Sequence, residues 1–587
     1  MATRIFDLFA YQLQNFPKQD ALCGKTGGEW KKYSSAEIKK QADLFSLGLL
    51  EMGLTKGDRV GLVSNNRPEW NIADLGMLQI GVVNVPVYTT LSESETAFIF
   101  NDCQVRLVIV SDPLLCKKVL AIKKDIPSLR EVVAFETMSE AKNWSEILEK
   151  GKTSRRSAEM ESIMQGIQPN DLATLIYTSG TTGNPKGVML SHNNIVSNVV
   201  DCKLLAPATP EHVALSFLPL CHTYERLLTY WYMYKGTSIY YAENMDKIFD
   251  NIREIKPHFF STVPRLLEKV YERILEKGME QKGIKKALFF WAVNLGLRYE
   301  LNNANGSFYA LQLKVAGALV FSKWREALGG RVIAIISGGA ALQPRLARVF
   351  NAAGIVVLEG YGLTETSPVV AVNNFEPDSI RFGTVGPVIP NVQVKIADDG
   401  EVLCKGPNVM IGYYNRPDLT AEVIDPDGWF HTGDIGMIVE NRFLKITDRK
   451  KEIFKTSGGK YIAPQAIENK LKESPFIEQL MVIGENRKFP AALIVPSFSH
   501  LKGWCEHKNI PYSSPEEMIR NAEVIQRIQQ EVEAFNQNLS HYEQVKKMEL
   551  LPREWTTASG DLTPTLKLKR KIITERNKAL IEKIYSE

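Results

Sequence analysis

The run Tyr177-Thr-Ser-Gly-Thr-Thr-Gly-Asn-Pro-Lys-Gly-Val188 concentrates more chemistry than any other stretch of this 587-residue chain. Gly180, Gly183 and Gly187 let backbone N–H groups approach an anion with no Cβ in the way. Thr178, Ser179, Thr181 and Thr182 add hydroxyl donors, and Lys186 adds a point charge. Amides, hydroxyls and one ammonium in this order suit a polyphosphate. The spacing is not that of a Walker loop, because Asn184-Pro185 separate Gly183 from Lys186. Gly24-Lys25-Thr26 has the tail of such a loop, but Gln19 stands where its first glycine belongs.

A phosphate loop needs a strand to aim it, and the apolar run Leu172-Ala-Thr-Leu-Ile precedes this one. Arg59–Ser64, Val82–Tyr88 and Leu107–Ser111 repeat the form, with helical patterns between them. Ser35–Met52 reads as a helix capped by Ser34 or Ser35. Strands alternating with helices predict an α/β fold of mostly parallel, doubly wound sheets, whose ligands sit in loops beyond the strand C-termini. The uncharged stretch Leu75–Ser92 reads as buried strand and turn; Gln79, Asn84 and Pro86 interrupt it, and a membrane span needs about 20 mostly apolar residues. Glu149–Arg156 is the most linker-like segment. From Pro264 to Trp324, residues such as Leu267, Val270, Tyr271 and Ile274 keep helical spacing and predict a helical insertion. Its apolar surface is expected either to pack as core or to offer a patch to a membrane surface. Beyond about Asp448 the chain turns rich in Lys and Glu, which predicts a small α+β lobe over 448–587 after a large domain over 1–447.

Composition narrows the classes. Lys and Arg number 71 against 67 Asp and Glu, and a net charge of +4 makes no electrostatic case for nucleic acid. A hydrophobic content of 44% supports a buried core and argues against disorder. The seven cysteines are scattered and never spaced as CxxC, so a reducing compartment is expected, with neither disulfides nor a zinc site. The N-terminus carries Asp7 and lacks a long apolar run, so no signal peptide is expected. The expectation is a cytoplasmic protein, at most peripheral to the inner face of a membrane.

The Tyr177–Gly187 string resembles the phosphate loop of the adenylate-forming superfamily of acyl-CoA synthetases, luciferases and peptide-synthetase adenylation domains. Ser337-Gly-Gly-Ala-Ala341, after the run Val332–Ile336, resembles the adenine-side loop. Glu359-Gly-Tyr-Gly-Leu-Thr-Glu-Thr366 is similar to the stretch whose glutamate helps hold magnesium, and Gly428–Asp434 to the one whose aspartate grips the ribose. Thr447–Ile453 and Ser457–Lys460 resemble the hinge and the start of a mobile domain. Phe217–Arg226, Val263–Tyr271, Gly428–Glu452 and Leu562–Arg570 resemble the long-chain fatty acyl-CoA synthetases. The resemblance implies a large N-terminal domain of doubly wound sheets plus a distorted barrel, and a small mobile C-terminal domain. It implies a long-chain fatty acid–CoA ligase acting on a fatty acid, ATP and coenzyme A with Mg²⁺, as a monomer or homodimer. The carboxylate would attack the α-phosphate of ATP to give acyl-AMP and pyrophosphate, and the CoA thiol would then displace AMP.

Residue by residue, the resemblance implies that Thr178 and Glu365 hold Mg²⁺, and that Ser179, Gly180, Thr181, Thr182, Gly183 and Lys186 cradle the β- and γ-phosphates. Gly338, Gly339, Ala340, Glu359, Gly360, Tyr361, Gly362 and Thr364 would line the AMP moiety. Asp434 would accept from the ribose diol, with Arg449 as a second contact. Lys567 would meet the carboxylate and α-phosphate in the first step only; Leu566 replaces the superfamily's glycine before it, as in long-chain members, and Lys569 is the alternative for the same role. His222 is expected to gate or position the acyl carboxylate, and residues from His222 to Trp324 to line part of the acyl tunnel. Asp448 and Lys451 would mark the hinge; Ser457, Gly458, Gly459 and Lys460 would face the CoA thiol channel, although an ordinary hairpin turn fits them equally. Two other readings stay open: an adenylating enzyme that loads a carrier protein or oxidises its adenylate, and a peripheral fatty-acid capture protein with a degenerate ATP site. Intact Lys186, Glu365, Asp434 and Lys567 weigh against the last.

Overall fold

The computed structural model describes residues 2–178, 185–563 and 567–586. Two eight-stranded sheets form the frame of the large domain. In the first, Val83–Val87, Arg59–Val63, Leu107–Val110 and Glu131–Ala134 run parallel, and Leu172–Thr178 lies beside Val83–Val87. In the second, Val213–Ser216, Phe259–Thr262, Ala334–Ser337 and Val356–Gly362 run parallel. Strands such as Leu107–Val110 and Ala334–Ser337 are buried throughout because helices cover both faces, which is why they read as unbroken apolar runs. The Ser337–Ala341 string begins where Ala334–Ser337 stops, and Glu359–Thr366 carries on from the end of Val356–Gly362, whereas Gly428–Asp434 runs into the strand Phe430–Val439.

A third, four-stranded sheet follows in the large domain. It is antiparallel, with Gln393–Ile396, Glu401–Lys405, Phe430–Val439 and Phe443–Arg449 in order. A bridge between Pro387 and Phe443 connects it toward the second sheet. The C-terminal lobe is α+β: Ile477–Ile483, Ala491–Pro496 and Lys547–Leu550 form a mixed sheet flanked by helices including Pro464–Leu471 and Ala522–Asn536. Its apolar side chains form clusters of their own, around Leu480 and Ile494 on one face and Leu493 and Ile573 on the other.

Local chemistry explains where reading and structure part. Ser34 is the cap of the helix Ser35–Glu51: it accepts from Glu37 N at 3.2 Å while the Glu37 carboxylate accepts from Ser34 N at 2.8 Å. Leu75–Gln79 is the end of the helix Pro68–Gln79, not strand; the helix is buried on every side, so no polar face marks its period. Glu149–Arg156 is mostly helix as well, within Ser145–Thr153. A Cβ on Gly151 would stand 2.0 Å from the Leu44 carbonyl oxygen, so this glycine permits two helices to touch. Helices cover much of the expected insertion, over Pro264–Met279, Gly283–Leu297, Gly306–Ala316 and, after a π-turn, Ser322–Ala327.

One buried polar network fastens the helix Thr223–Lys235 to the first sheet. Arg226 Nη2 lies 2.6 Å from Asp74 Oδ1, and both side chains are shut off from solvent. Arg226 also donates to Thr174 Oγ1 and Tyr230 Oη, both at 2.8 Å, and Tyr230 donates to Asp74. Asn84 Nδ2 donates to Asp74 Oδ1 at 2.7 Å. Thr174 lies on the strand that leads into the 177–188 run, so the network fixes that strand against the helix that begins at His222. Arg226→Met strands a buried carboxylate and is expected to cost roughly 3–5 kcal/mol, read as a fall in Tm; adding Asp74→Asn should recover part of the loss. An unchanged Tm in the single variant would contradict this account.

Candidate active site

The antiparallel register of Phe430–Val439 and Phe443–Arg449 sets Asp434 opposite Arg449. Arg449 Nε lies 3.2 Å from Asp434 Oδ1, and the Tyr361 hydroxyl donates to Oδ2 at 2.7 Å. Burial raises the Asp434 pKa, against the opposing pull of Arg449, Tyr361 and Lys567. Each carboxylate oxygen has more than one lone pair, so both can accept a further hydroxyl while keeping these partners. Tyr361 stands on Val356–Gly362, and a Cβ on Gly362 would fall 1.8 Å from the Pro368 carbonyl oxygen, so the strand can end there only with glycine.

The loop after Ala334–Ser337 is shaped by two neighbours. Gly338 is buried against the Tyr224 ring, 3.1 Å from the position of a Cβ, and the Tyr224 hydroxyl donates to Ile336 O at 2.8 Å. Gly339 has φ +83° and, like Ala340, is exposed. Glu359, expected among the nucleotide contacts, reaches this loop instead: its Oε1 accepts from Leu342 N at 2.9 Å. Burial pushes the Glu359 carboxyl up to about 8, so it is largely protonated at neutral pH. Gly360 pairs with Val372, and Thr364 opens the short turn Thr364–Thr366 that presents Glu365.

Lys567 comes from the C-terminal lobe yet senses the charges of Arg449, Asp434, Glu452 and Glu365. The residue is open to solvent. Withdrawal from bulk water, then repulsion by Arg449, lowers its ammonium pKa to about 8. Lys569 is different: its charge is felt by Glu95, away from Asp434, and its amide donates to Asp561 O at 2.8 Å. Of the two candidate lysines, Lys567 is the one that faces the cleft. His222 caps the helix Thr223–Lys235, its Nδ1 accepting from Tyr224 N at 3.1 Å, and its ring meets Tyr88 edge-on. Burial, then the charge of Lys567, holds its pKa down at about 4. A neutral imidazole that accepts at Nδ1 carries its proton on Nε2 and is a donor there.

The phosphate side turns on a residue that spacing alone does not mark. Tyr413 Oη donates to Glu365 Oε1 at 2.9 Å, and the Lys186 ammonium lies 5.0 Å from the centre of the same ring. Gly412–Tyr413 pairs with the strand Lys186–Ser191, and Thr178 stands opposite Lys186 in register. One aromatic side chain therefore spaces Glu365 from Lys186. Ser179, Gly180, Thr181, Thr182 and Gly183 lie outside the described residues. The oxygen donors at hand, Glu365 and the Thr178 hydroxyl, suit a small hard cation that takes its remaining ligands from phosphates and water. Among the described residues no group of three or more His, Cys, Asp or Glu could hold a metal, so a cation here depends on the substrate for part of its shell.

The hinge and the glycine turn lie elsewhere. Asp448 is buried, accepts from Arg449 N at 2.6 Å and Gln465 N at 2.9 Å, and has its pKa raised to about 7 by burial; Lys451 is exposed. Arg570 binds Glu452 at 2.9 Å and Glu468 at 2.7 Å, so the chain just past the hinge is tied to the C-terminal lobe. Arg265 of the large domain pairs with Glu478 of that lobe, and Arg345 donates to Lys472 O at 3.3 Å. Ser457, Gly458, Gly459 and Lys460 form an exposed turn with φ +79° at Gly459, and the hydrogen bonds of Ser457 and Gly459 go to Arg487 and Thr456 of their own lobe. Lys567 is thus in the cleft while this turn is outside it. The inner side chains of the insertion, Tyr271, Phe321 and Trp324, stack against one another and Phe350 at centroid distances from 5.0 to 6.5 Å. These side chains belong to the core of the second sheet's helices.

Residues 9–414 match the AMP-binding enzyme family and residues 451–587 the AMP-binding enzyme C-terminal domain. The long-chain-fatty-acid–CoA ligase FadD15 of Mycobacterium bovis is 34% identical over 95% of this chain and 93% of its own length. The human long-chain-fatty-acid–CoA ligase 1 is 33% identical over 95% of this chain and 82% of its own. Among solved structures, the adenylation domain of a carboxylate reductase from Mycobacterium chelonae superposes with a TM-score of 0.75 at 22% identity, covering 100% of this chain and 91% of that one.

Glu359 offers a test of the loop geometry. Its carboxyl is protonated when folded up to a pKa of about 8, against a usual value of 4.5, so ionisation of the unfolded chain takes stability away as pH rises between those values. Glu359→Gln keeps the acceptor for Leu342 N without that cost. Its stability should gain on the wild type progressively across this window, by up to roughly 3–5 kcal/mol, and level off above it. Thermal melts against pH that stay parallel would contradict a buried, protonated Glu359.

Proposed function

This chain belongs to the AMP-binding enzyme family, and we propose that it is an AMP-forming long-chain fatty acid–CoA ligase. The observation that carries the reading is that Lys567 of the C-terminal lobe lies within range of the charges of Asp434 and Glu365 of the large domain and of Arg449 at the boundary, in a chain whose relatives at 33–34% identity are such ligases. The reaction asks for little covalent work by the protein. A carboxylate attacking a phosphate brings like charges together, so neutralisation and in-line positioning supply the acceleration.

In this reading Asp434, supported by Tyr361 and Arg449, accepts from the ribose diol, and the Gly338–Ala340 loop, braced by Glu359, borders the adenine. Ser179, Gly180, Thr181, Thr182, Gly183 and Lys186 bind the β- and γ-phosphates. Thr178 and Glu365 would hold Mg²⁺, which when bound offsets polyphosphate charge; Tyr413 keeps Glu365 and Lys186 apart and aimed. His222 donates from Nε2 to the fatty carboxylate, and Lys567 lies against carboxylate and α-phosphate together. An oxygen of the carboxylate bonds to the α-phosphorus, the bond to pyrophosphate breaks, and acyl-AMP remains. The C-terminal lobe, 448–587, then turns about Asp448–Lys451, which requires the Arg265–Glu478 pair to part. The turn withdraws Lys567 and brings Ser457–Lys460 to the cleft, where the CoA sulfur attacks the acyl carbon and AMP leaves. A contact made for one step and removed for the next is what a mobile lysine allows.

The carrier-loading alternative has only the fold in its favour, since the carboxylate reductase domain is 22% identical. AMP release that depends on free CoA separates the two readings. Lys567→Ala should lose acyl-AMP formation by roughly 10²-fold or more, while thioester formation from supplied acyl-AMP persists. Equal loss in both half-reactions would remove Lys567 from its role. In the wild type, kcat/KM for ATP should fall as pH rises through about 8, where free-enzyme Lys567 loses its proton, and Lys567→Arg should abolish that limb. Gly459→Leu, at φ +79°, should spare adenylation and slow thioesterification; normal CoA kinetics would argue against a role for the turn.

A further inference from the structure

Five of the large apolar side chains most open to solvent fall within one part of the insertion: Ile284 (86% exposed), Phe308 (75%), Leu311 (60%), Leu319 (57%) and Val315 (43%). Four of them lie on a single helical path. Gly306–Ala316 runs through a π-turn at Gly317–Phe321 into Ser322–Ala327 without leaving helical dihedrals, and Phe308, Leu311, Val315 and Leu319 recur along it at steps of three and four. The opposite side of this helix, through Ala316, Val320, Phe321 and Trp324, is buried in the core. Ile284 opens the neighbouring helix Gly283–Leu297, which the Tyr309 hydroxyl ties to this one by donating to Leu295 O at 2.7 Å.

Charge tells what the outer face fits. Between Gln281 and Trp324 stand six basic residues and a single acid, Glu300, a local excess larger than the +4 of the whole chain. Lys282, Lys285, Lys286 and Lys314 are exposed beside the apolar positions, and Lys282, Lys285 and Lys314 enter no ion pair among the described residues. No helix among the described residues is long and apolar enough to cross a membrane. An apolar stripe rimmed by lysines, on a helix too short to span, has the character of an element that lies in the headgroup region of an anionic bilayer.

The geometry points to the outer face of the 283–321 helices as a docking surface for an anionic lipid bilayer. The choice of occupant rests on the fatty-acid reading above: each methylene of a long acyl chain costs about 0.8 kcal/mol in water, so such substrates reside in bilayers, and docking there places the enzyme at its supply.

The test uses the full chain, without substrates, and vesicles of phosphatidylcholine with or without phosphatidylglycerol. The wild type should sediment with the anionic vesicles. L311S/L319S should lower the partition coefficient roughly tenfold or more with Tm unchanged, since both side chains point outward. K282Q/K285Q/K314Q should weaken anionic binding by roughly fivefold per lysine and flatten its salt dependence. The proposal falls if the wild type stays in the supernatant, if L311S/L319S partitions like the wild type, or if light scattering finds a wild-type dimer that this variant splits, which would assign the face to a second copy. AMP release from fatty acid, ATP and CoA, assayed separately on the wild type, tells failure of the ligase reading from failure of the docking surface.

Discussion

The proposed chemistry depends on one electrostatic relation: the Lys567 ammonium of the C-terminal lobe lies within range of the charges of Arg449, Asp434 and Glu365. Lys567 stands where burial and Arg449 oppose its charge, and only the carboxylates nearby favour it. In water the same groups would be screened; between two lobes they act at short range and in lower dielectric.

The large domain is held together by a buried polar network. Arg226 and Asp74 pair without solvent and draw Thr174, Asn84 and Tyr230 into one network, so the strand entering the phosphate run and the helix capped by His222 are fixed to each other. Tyr413 does the same at smaller scale for Glu365 and Lys186. These are positioning contacts, each spending hydrogen bonds on geometry and leaving other faces for substrate. Between the lobes stand polar contacts such as Arg265 with Glu478 and Arg345 with a backbone carbonyl.

The insertion divides its two faces between different solvents. Tyr271, Phe321, Trp324 and Phe350 close the inner face into core. The outer face keeps large apolar side chains in water and surrounds them with lysines, an arrangement that folding alone does not reward. Val315 and Leu319, four residues apart, share the outer path while Val320 and Phe321 remain buried.

What the residues alone determined is what chemistry of the backbone enforces locally. Glycines, hydroxyls and a lysine after an apolar strand announce phosphate binding; Ser34 and Glu37 announce a helix start; alternating apolar runs announce parallel sheets covered on both faces. Those signals depend on near neighbours in the chain, and the helix start at Ser34 and the parallel sheets stand in the structure. Leu75–Gln79 and Gly151 misled because a helix buried on every side shows no period, and a glycine serving helix contact looks like one serving a bend. Only the tertiary structure decided that Lys567 rather than Lys569 faces Asp434, that Glu359 braces a loop, that Tyr413 spaces Glu365 from Lys186, and that the insertion's aromatic residues fill a core while its outer stripe stays bare. The reason is physical. Which groups share a cleft, and how far burial shifts their charge, is set by elements hundreds of residues apart, and spacing along the chain carries no record of it.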